Sequence, residues 1–294
     1  MKTSIFGKLI YGLIIFFISV TCLPAFTQTK SGSNNRTDLV KLEYKYQSET
    51  PVKYQMVSKI TQVMDIQGQS MQNNINSVFG CTIKAAGWQD SNLKLQITAD
   101  TLGQSVESPM GVSGGSVSEI KGKVFNIVIT SDGKETDISE AEKVVYNIEG
   151  SGSTNIAQNF LEFFPLLPAN PVKTGDIWNI VDSVRGETTA VVTKSKVNSV
   201  NKLEGIENIE GVECARISSV MDGTIELVTN NQGMEINMKG AVTGTGILLF
   251  AIKEGYFIKQ TVNSKVTGNL EISSPENMTF PMVMDINTLN EVIR

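Results

Sequence analysis

A chain of 294 residues, 40% hydrophobic and 19% charged, can fill one large or two small packed cores, and those proportions exclude a disordered chain. It contains no histidine. That removes Ser-His-Asp and Cys-His nucleophilic catalysis, histidine general bases and every zinc or iron site built on imidazole, leaving chemistry run by carboxylates, lysine or tyrosine, or no chemistry at all.

Lys2 and Lys8 precede an apolar run from Leu9 to Val20, the length of a signal-peptide core and too short for a membrane-spanning helix. Pro24 breaks the run, and Ala25-Phe26-Thr27 puts small residues where a signal peptidase needs them, so cleavage is expected after Thr27. Lipidation at Cys22 is disfavoured by bulky Thr21 before it and by the missing leucine. The expected location is therefore exported, periplasmic or extracellular. Removing 27 residues takes away Lys2 and Lys8 and no carboxylate, which leaves 267 residues, 23 basic and 30 acidic side chains and a net charge of −7. Nucleic acid is an improbable partner for such a chain, since the basic residues are scattered singly among acids. No second apolar run reaches membrane-spanning length.

Period two dominates the remainder of the chain. Leu42, Tyr44 and Tyr46 alternate with polar residues, as do Val52, Tyr54 and Met56, then Ile75, Phe79, Cys81 and Ile83, then Leu93, Leu95, Ile97 and Ala99. Long alternating strands joined in sequence predict a mainly β fold of curled antiparallel meander sheets. Thr101–Glu119 is rich in Gly and Ser and reads as a surface loop. A strand is expected over Gly122–Ile129, with a turn at Asp132-Gly133. Ser139 and Glu142 form a capping-box pattern for a short helix to Ile148. A second helix is expected from Ser153 or Thr154, with Ala157, Phe160, Leu161 and Phe164 on one stripe and Pro165 ending it, placed to plug the open face of the sheet.

Strand character then runs from Ile177 to Val184, Thr189 to Val200, Val212 to Met221, Met234 to Val242, Ile247 to Ile252, Tyr256 to Val266 and Met282 to Ile286. The expected organisation is a signal peptide (1–27), a flexible linker (28–38), an N-terminal β half (39–138), a helical connector (139–171) and a C-terminal β half (172–294). A weak repeat hints at two similar halves: Gly122, Phe125 and Asp132-Gly133 match Gly244, Ile247 and Glu254-Gly255.

The search for chemistry is largely negative. Ser118-Glu-Ile-Lys121, Ser153-Thr-Asn155 and Lys173-Thr-Gly175 fall in the order of the serine β-lactamase motifs, but their spacing leaves no room for the helical domain that builds such a site. Gly122-Lys123 lacks the rest of a phosphate loop, and no calcium loop or metal-ligand spacing occurs, so no cofactor or metal is expected. Cys81 and Cys214, 133 residues apart, are the two cysteines beyond the leader; they are either a disulfide or two small core residues. Candidate ligand contacts are Trp88, Phe160, Phe164 and Trp178, each of which also reads as core.

The segment Phe164-Pro-Leu-Leu-Pro168-Ala-Asn-Pro171-Val-Lys-Thr-Gly175-Asp176-Ile-Trp178, with the opening Leu42-Glu-Tyr44 and the Gly122 hairpin, resembles a domain-of-unknown-function family of exported β-rich proteins of Bacteroidota-type bacteria. The resemblance implies an exported β-rich fold and lends no catalytic residues. Three functions are open: a non-enzymatic envelope protein binding an apolar small molecule or lipid in a concave sheet; a module contacting another envelope protein through edge strands, the Thr101–Glu119 loop or the Met234, Ile236, Met238 row; or a histidine-free hydrolase, which needs facing carboxylates or a Lys beside a Ser.

Overall fold

The computed structural model describes residues 38–293 except 48, 67, 149–151, 188–190, 232–233 and 274–276. The expected signal peptide, Cys22 and nearly all of the linker lie outside the described residues. Strands make up 72% of the described residues, most of them in one antiparallel sheet of 12 strands that is not closed into a barrel. In chain order the strands are β1 (Val52–Ile66), β2 (Gln69–Gln89), β3 (Asn92–Ser108), β4 (Gly111–Ser116), β5 (Val124–Ile129), β6 (Glu135–Asp137), β7 (Val145–Ile148) and β8 (Gly152–Asn155). They continue as β9 (Ile177–Glu187), β10 (Val191–Ile209), β11 (Val212–Asn231), β12 (Met234–Ala251), β13 (Tyr256–Ile272) and β14 (Met278–Val292).

The order across the sheet is β6-β5-β3-β2-β1-β14-β13-β12-β11-β10-β9, with β4 added to β3. The pairing of β1 with β14 joins the N-terminal and C-terminal runs into one surface; β6 and β9 end the strand order, and β4 is a further short edge beside β3. Strands of up to 21 residues accumulate so much twist that the sheet curls on itself. Glycines within its strands make the bend possible. A Cβ on Gly268 would fall on the Lys239 carbonyl oxygen, one on Gly223 on the Lys196 carbonyl oxygen, and one on Gly240 within 2.7 Å of the Val266 side chain.

Two apolar clusters fill the concave side. One gathers Tyr44, Tyr54, Phe79, Phe160, Phe163 and Phe257 at the connector end; the other gathers Met64, Leu227, Met238, Val266, Met282 and Ile286 at the far end. Between them runs a polar row set by strand register: Gln104, Ser77, Ser58 and Thr288 face inward in succession, and Ser219 and Asn201 continue it across β11 and β10. Ser58 and Thr288 share a 3.0 Å hydrogen bond. Asn73 Oδ1, Gln104 Oε1 and both amide atoms of Asn290 have no protein partner, which marks them as anchors for internal water.

Several expectations change. Residues 41–47 alternate as expected but form no ladder: they cross the end of the sheet, where the Tyr44 N–H bonds the Ser131 carbonyl and the Lys45 N–H that of Gly255, both at 2.8 Å. The expected Gly/Ser loop is instead the end of β3, β4 and a 3-10 turn at Ser118–Ile120; of its glycines Gly114 serves close backbone approach, since a Cβ there would strike the Gln104 carbonyl. The first helix, α1, spans only Ser139–Glu142, and its Ser139 N–H is held by Asp137 Oδ1 rather than by a capping box. Val144-Val145-Tyr146 then extends into β7, as β-branched and aromatic residues favour.

The second helix is replaced by β8 and a 3-10 turn at Ile156–Asn159. Phe160 and Phe164 are buried as expected, Phe163 joins them, and Leu161 is left half-buried. Met234–Val242 and Ile247–Ile252 merge into one strand, so Gly244 lies mid-strand and does not mirror Gly122, whose φ is +78°. The turns at Gly133 and Gly255 do correspond, one on each side of residues 44–45.

The aromatic plug and the strand glycines generate direct expectations. Phe160→Ala empties a fully buried site and should lower unfolding free energy by about 3–5 kcal/mol in a urea titration. Gly268→Ala should cost about 1–3 kcal/mol, while Gly115→Ala, which meets nothing within 4 Å, should stay within about 0.5 kcal/mol. Equal effects at the two glycines would contradict the bending role.

Candidate functional site

The two sheet edges approach each other across the connector, and a cavity lies beneath that seam. Its floor is the inner face of β9 to β13, including Ile180, Val197, Ile217, Met221, Val242 and Val262; its roof is Lys134, Glu135, Glu162 and the stretch Phe164-Pro165-Leu166. The volume is about 140 Å³. The roof is held in place by the Tyr44 hydroxyl, which donates to the Pro165 carbonyl at 2.9 Å, and by the Leu167 N–H, which donates to the Asp132 carbonyl at 2.8 Å. Polar floor groups include Ser219, whose hydroxyl donates to Asn201 Oδ1 at 2.6 Å.

Three carboxylates line this space from three separate elements: Glu135 on β6, Glu162 in the turn after Phe160, and Asp182 on β9. Burial pushes Glu135 up to about 8, with the charges of Asp182 and Glu162 adding to the shift and backbone hydrogen bonds from Glu135 itself and Phe164 opposing it. Glu162 is likewise pushed up to about 8, first by burial and then by Asp182, while a long 3.5 Å hydrogen bond from the Ser195 hydroxyl works against the shift. Burial also raises Asp182, partly offset by its Ser183 backbone hydrogen bond and by Lys134. At neutral pH the seam therefore carries protonated acids. Glu135 Oε1 is buried with no hydrogen-bond partner.

Of the residues singled out from sequence, Phe164 lines the cavity wall. Phe160 sits behind it, edge-on to Phe79 and Phe125 at 5.5 and 5.6 Å. Trp178 packs against the connector-end cluster and its Cα partner is Asn201, a cavity residue, but the ring is not part of the wall; its Nε1 has no partner. Trp88 is 65% exposed beside the Asp90-Ser91 hairpin turn, away from the others. Cys81 on β2 and Cys214 on β11 are buried free thiols with β1, β14, β13 and β12 between their strands, and burial raises both, Cys214 to about 12. Ile236 and Met238 are core residues.

Among the described residues no group of three or more Cys, Asp or Glu is arranged to hold a metal ion, and no helix is long and apolar enough to cross a membrane. The carboxylates carry no local signature in sequence. Glu135, Glu162 and Asp182 are spaced too irregularly for any periodicity to connect them, and only the meeting of β6 with β9 brings them together.

Comparison with known proteins adds little. No family model matches the chain, and no curated protein does. Solved structures similar to it include OccK2 (OpdF) of Pseudomonas aeruginosa in complex with glucuronate, at 6% identity over 85% of this chain and 100% of that one, with a TM-score of 0.29. DynF from the dynemicin biosynthesis pathway of Micromonospora chersina is 6% identical over 94% and 97%, TM-score 0.22. A DUF1329 family protein from Desulfovibrio piger is 12% identical over 79% and 83%, TM-score 0.12. Scores this low carry no functional argument, which leaves the geometry of the cavity.

The raised carboxyls dictate a pH dependence of known sign. In the unfolded chain a Glu ionises near 4.5, whereas Glu135 and Glu162 hold their protons to about 8 in the fold. Their contribution is fully present below 4.5 and is lost as pH rises towards 8. The melting temperature should therefore fall between pH 5 and pH 8.5. Glu162→Gln should flatten that slope and raise Tm at pH 8.5 by roughly 3–6 °C. An unchanged slope would show that Glu162 is not held neutral.

Proposed function

We propose that this chain is an exported cell-envelope protein that performs no chemistry and holds a small apolar molecule inside its curled sheet. The observation that carries this reading is the seam cavity, whose floor combines eight aliphatic side chains with a polar set that includes Ser199, Asn201, Ser219, Gln260 and Ser264, and whose roof is a fixed aromatic and proline segment. Its volume, about 140 Å³, is close to that of an engineered apolar cavity of about 150 Å³ that takes benzene. The occupant is thus a benzene-sized body or the end of an alkyl chain, not a whole lipid. Export rests on the N-terminal residues 1–27, and membership of the exported β-rich family on the Phe164–Trp178 segment.

A hydrolase reading has one observation in its favour, the facing acids Glu162 and Asp182. Acid–base catalysis requires one carboxyl to be protonated and its partner ionised, with environments that push the two apart. Here burial raises both. The interaction-module reading draws on Val181, Val200 and Val220, exposed on the outer face of β9 to β11, without any feature that selects a partner.

Toluene is a direct probe of the cavity. At about 100 times its Kd it should add about 2.7 kcal/mol to unfolding free energy, and Ile180→Trp, which fills the cavity from an edge strand free to adjust, should abolish the gain. A protein whose stability ignores toluene would rule the reading out.

A further inference from the structure

We propose that the seam cavity selects an amine: an apolar body of about benzene size bearing one ammonium group that sits against Glu135, Glu162 and Asp182. The inference rests on the reading of the cavity as a ligand site and names the chemistry of what enters it.

The walls and the acids make separate demands. Aliphatic residues of β9 to β13, with Phe164, Pro165 and Leu166, favour an apolar body. The polar end offers three carboxyls against one cation, Lys134, which is itself exposed. The Tyr44 phenol lies near Glu135 and the Ser195 hydroxyl near Glu162, neither of them cationic. Glu135 Oε1 is buried and unpartnered, so an acceptor already stands desolvated where a donor would enter.

A neutral hydrocarbon leaves that acceptor unsatisfied. A carboxylate ligand supplies no donor to that acceptor, and as the glutamates begin to ionise towards pH 8 it meets like charge and is rejected. An ammonium supplies three N–H donors and a positive charge in a low-dielectric pocket. It also lets a protonated carboxyl ionise, because the counter-charge that burial denied is now present. Binding is then an exchange in which the amine enters as a cation and a proton leaves to solvent, so affinity must rise with pH while the amine itself stays protonated.

The probes are toluene, benzylamine and benzoate, titrated by calorimetry into the full chain at pH 6 and pH 8, in two buffers of different ionisation enthalpy. Benzylamine should bind at least tenfold more tightly than toluene at pH 8, release protons on binding and weaken at pH 6; benzoate should not bind. The double variant Glu135→Gln/Glu162→Gln should lose the preference for benzylamine over toluene and the proton release that accompanies it. The proton count is read on the unmodified protein, so the test stands even if that variant fails to fold. Toluene binding with no amine preference and no proton release overturns this inference alone. Binding of neither molecule overturns the cavity reading and this inference with it.

Discussion

The sheet never closes, and the way its two end strands, β6 and β9, are held apart governs the rest of the molecule. β6 is three residues long and β9 eleven, and neither pairs with the other. Unpaired edges invite pairing with other chains unless they are shortened or covered. Here β6 is short, and the connector packs over the end of β9: Gly186 leaves no room for a Cβ because Leu161 and Gln158 lie against it. The same segment drives Phe160, Phe163 and Phe164 into the interior, where they contact Phe79, Tyr54 and Tyr44 respectively. Burial of that aromatic group supplies the cohesion that edge-to-edge hydrogen bonds would otherwise give.

Holding the seam open in this way leaves space beneath it, and the edges deliver their side chains to that space. Glu135 and Asp182 come from opposite edges, and Glu162 comes from the plug between them. Acids so placed lose solvent with only the exposed Lys134 beside them, so Glu135 and Glu162 retain protons. The cavity and its perturbed carboxyls thus share one structural cause. Deeper in, the curled sheet is apolar at both ends with a polar row between, and Tyr46 and Tyr54 show how such groups are accommodated: their hydroxyls meet at 2.8 Å, and Tyr54 donates onward to the Phe257 carbonyl at 2.8 Å.

Much of the fold was legible because a half-buried strand writes its period into the sequence. The alternations at Val52, Ile75, Leu93 and Tyr256 all fall on strands, and Asp132-Gly133 does turn between β5 and β6. Residues with two uses were the misleading ones. Gly114 within Thr101–Glu119 and Gly244 look like loop or turn signals, yet they serve close approach between strands. Ser139 and Glu142 look like a cap, yet the β-branched residues after them cut the helix short. The site was scarcely legible: Phe164 came from the aromatic stripe, but the three acids became neighbours only through the meeting of two sheet edges far apart in the chain.

Whether the seam encloses a largely apolar, ligand-sized space or a water-filled gap decides between a binding protein and a merely imperfect closure, and diffraction from crystals under xenon pressure tests it directly. A xenon atom is expected among Ile180, Met221 and Val262, with its occupancy lost in Ile180→Trp. Density for a hydrogen-bonded chain of waters throughout that space, with no xenon, would contradict the account.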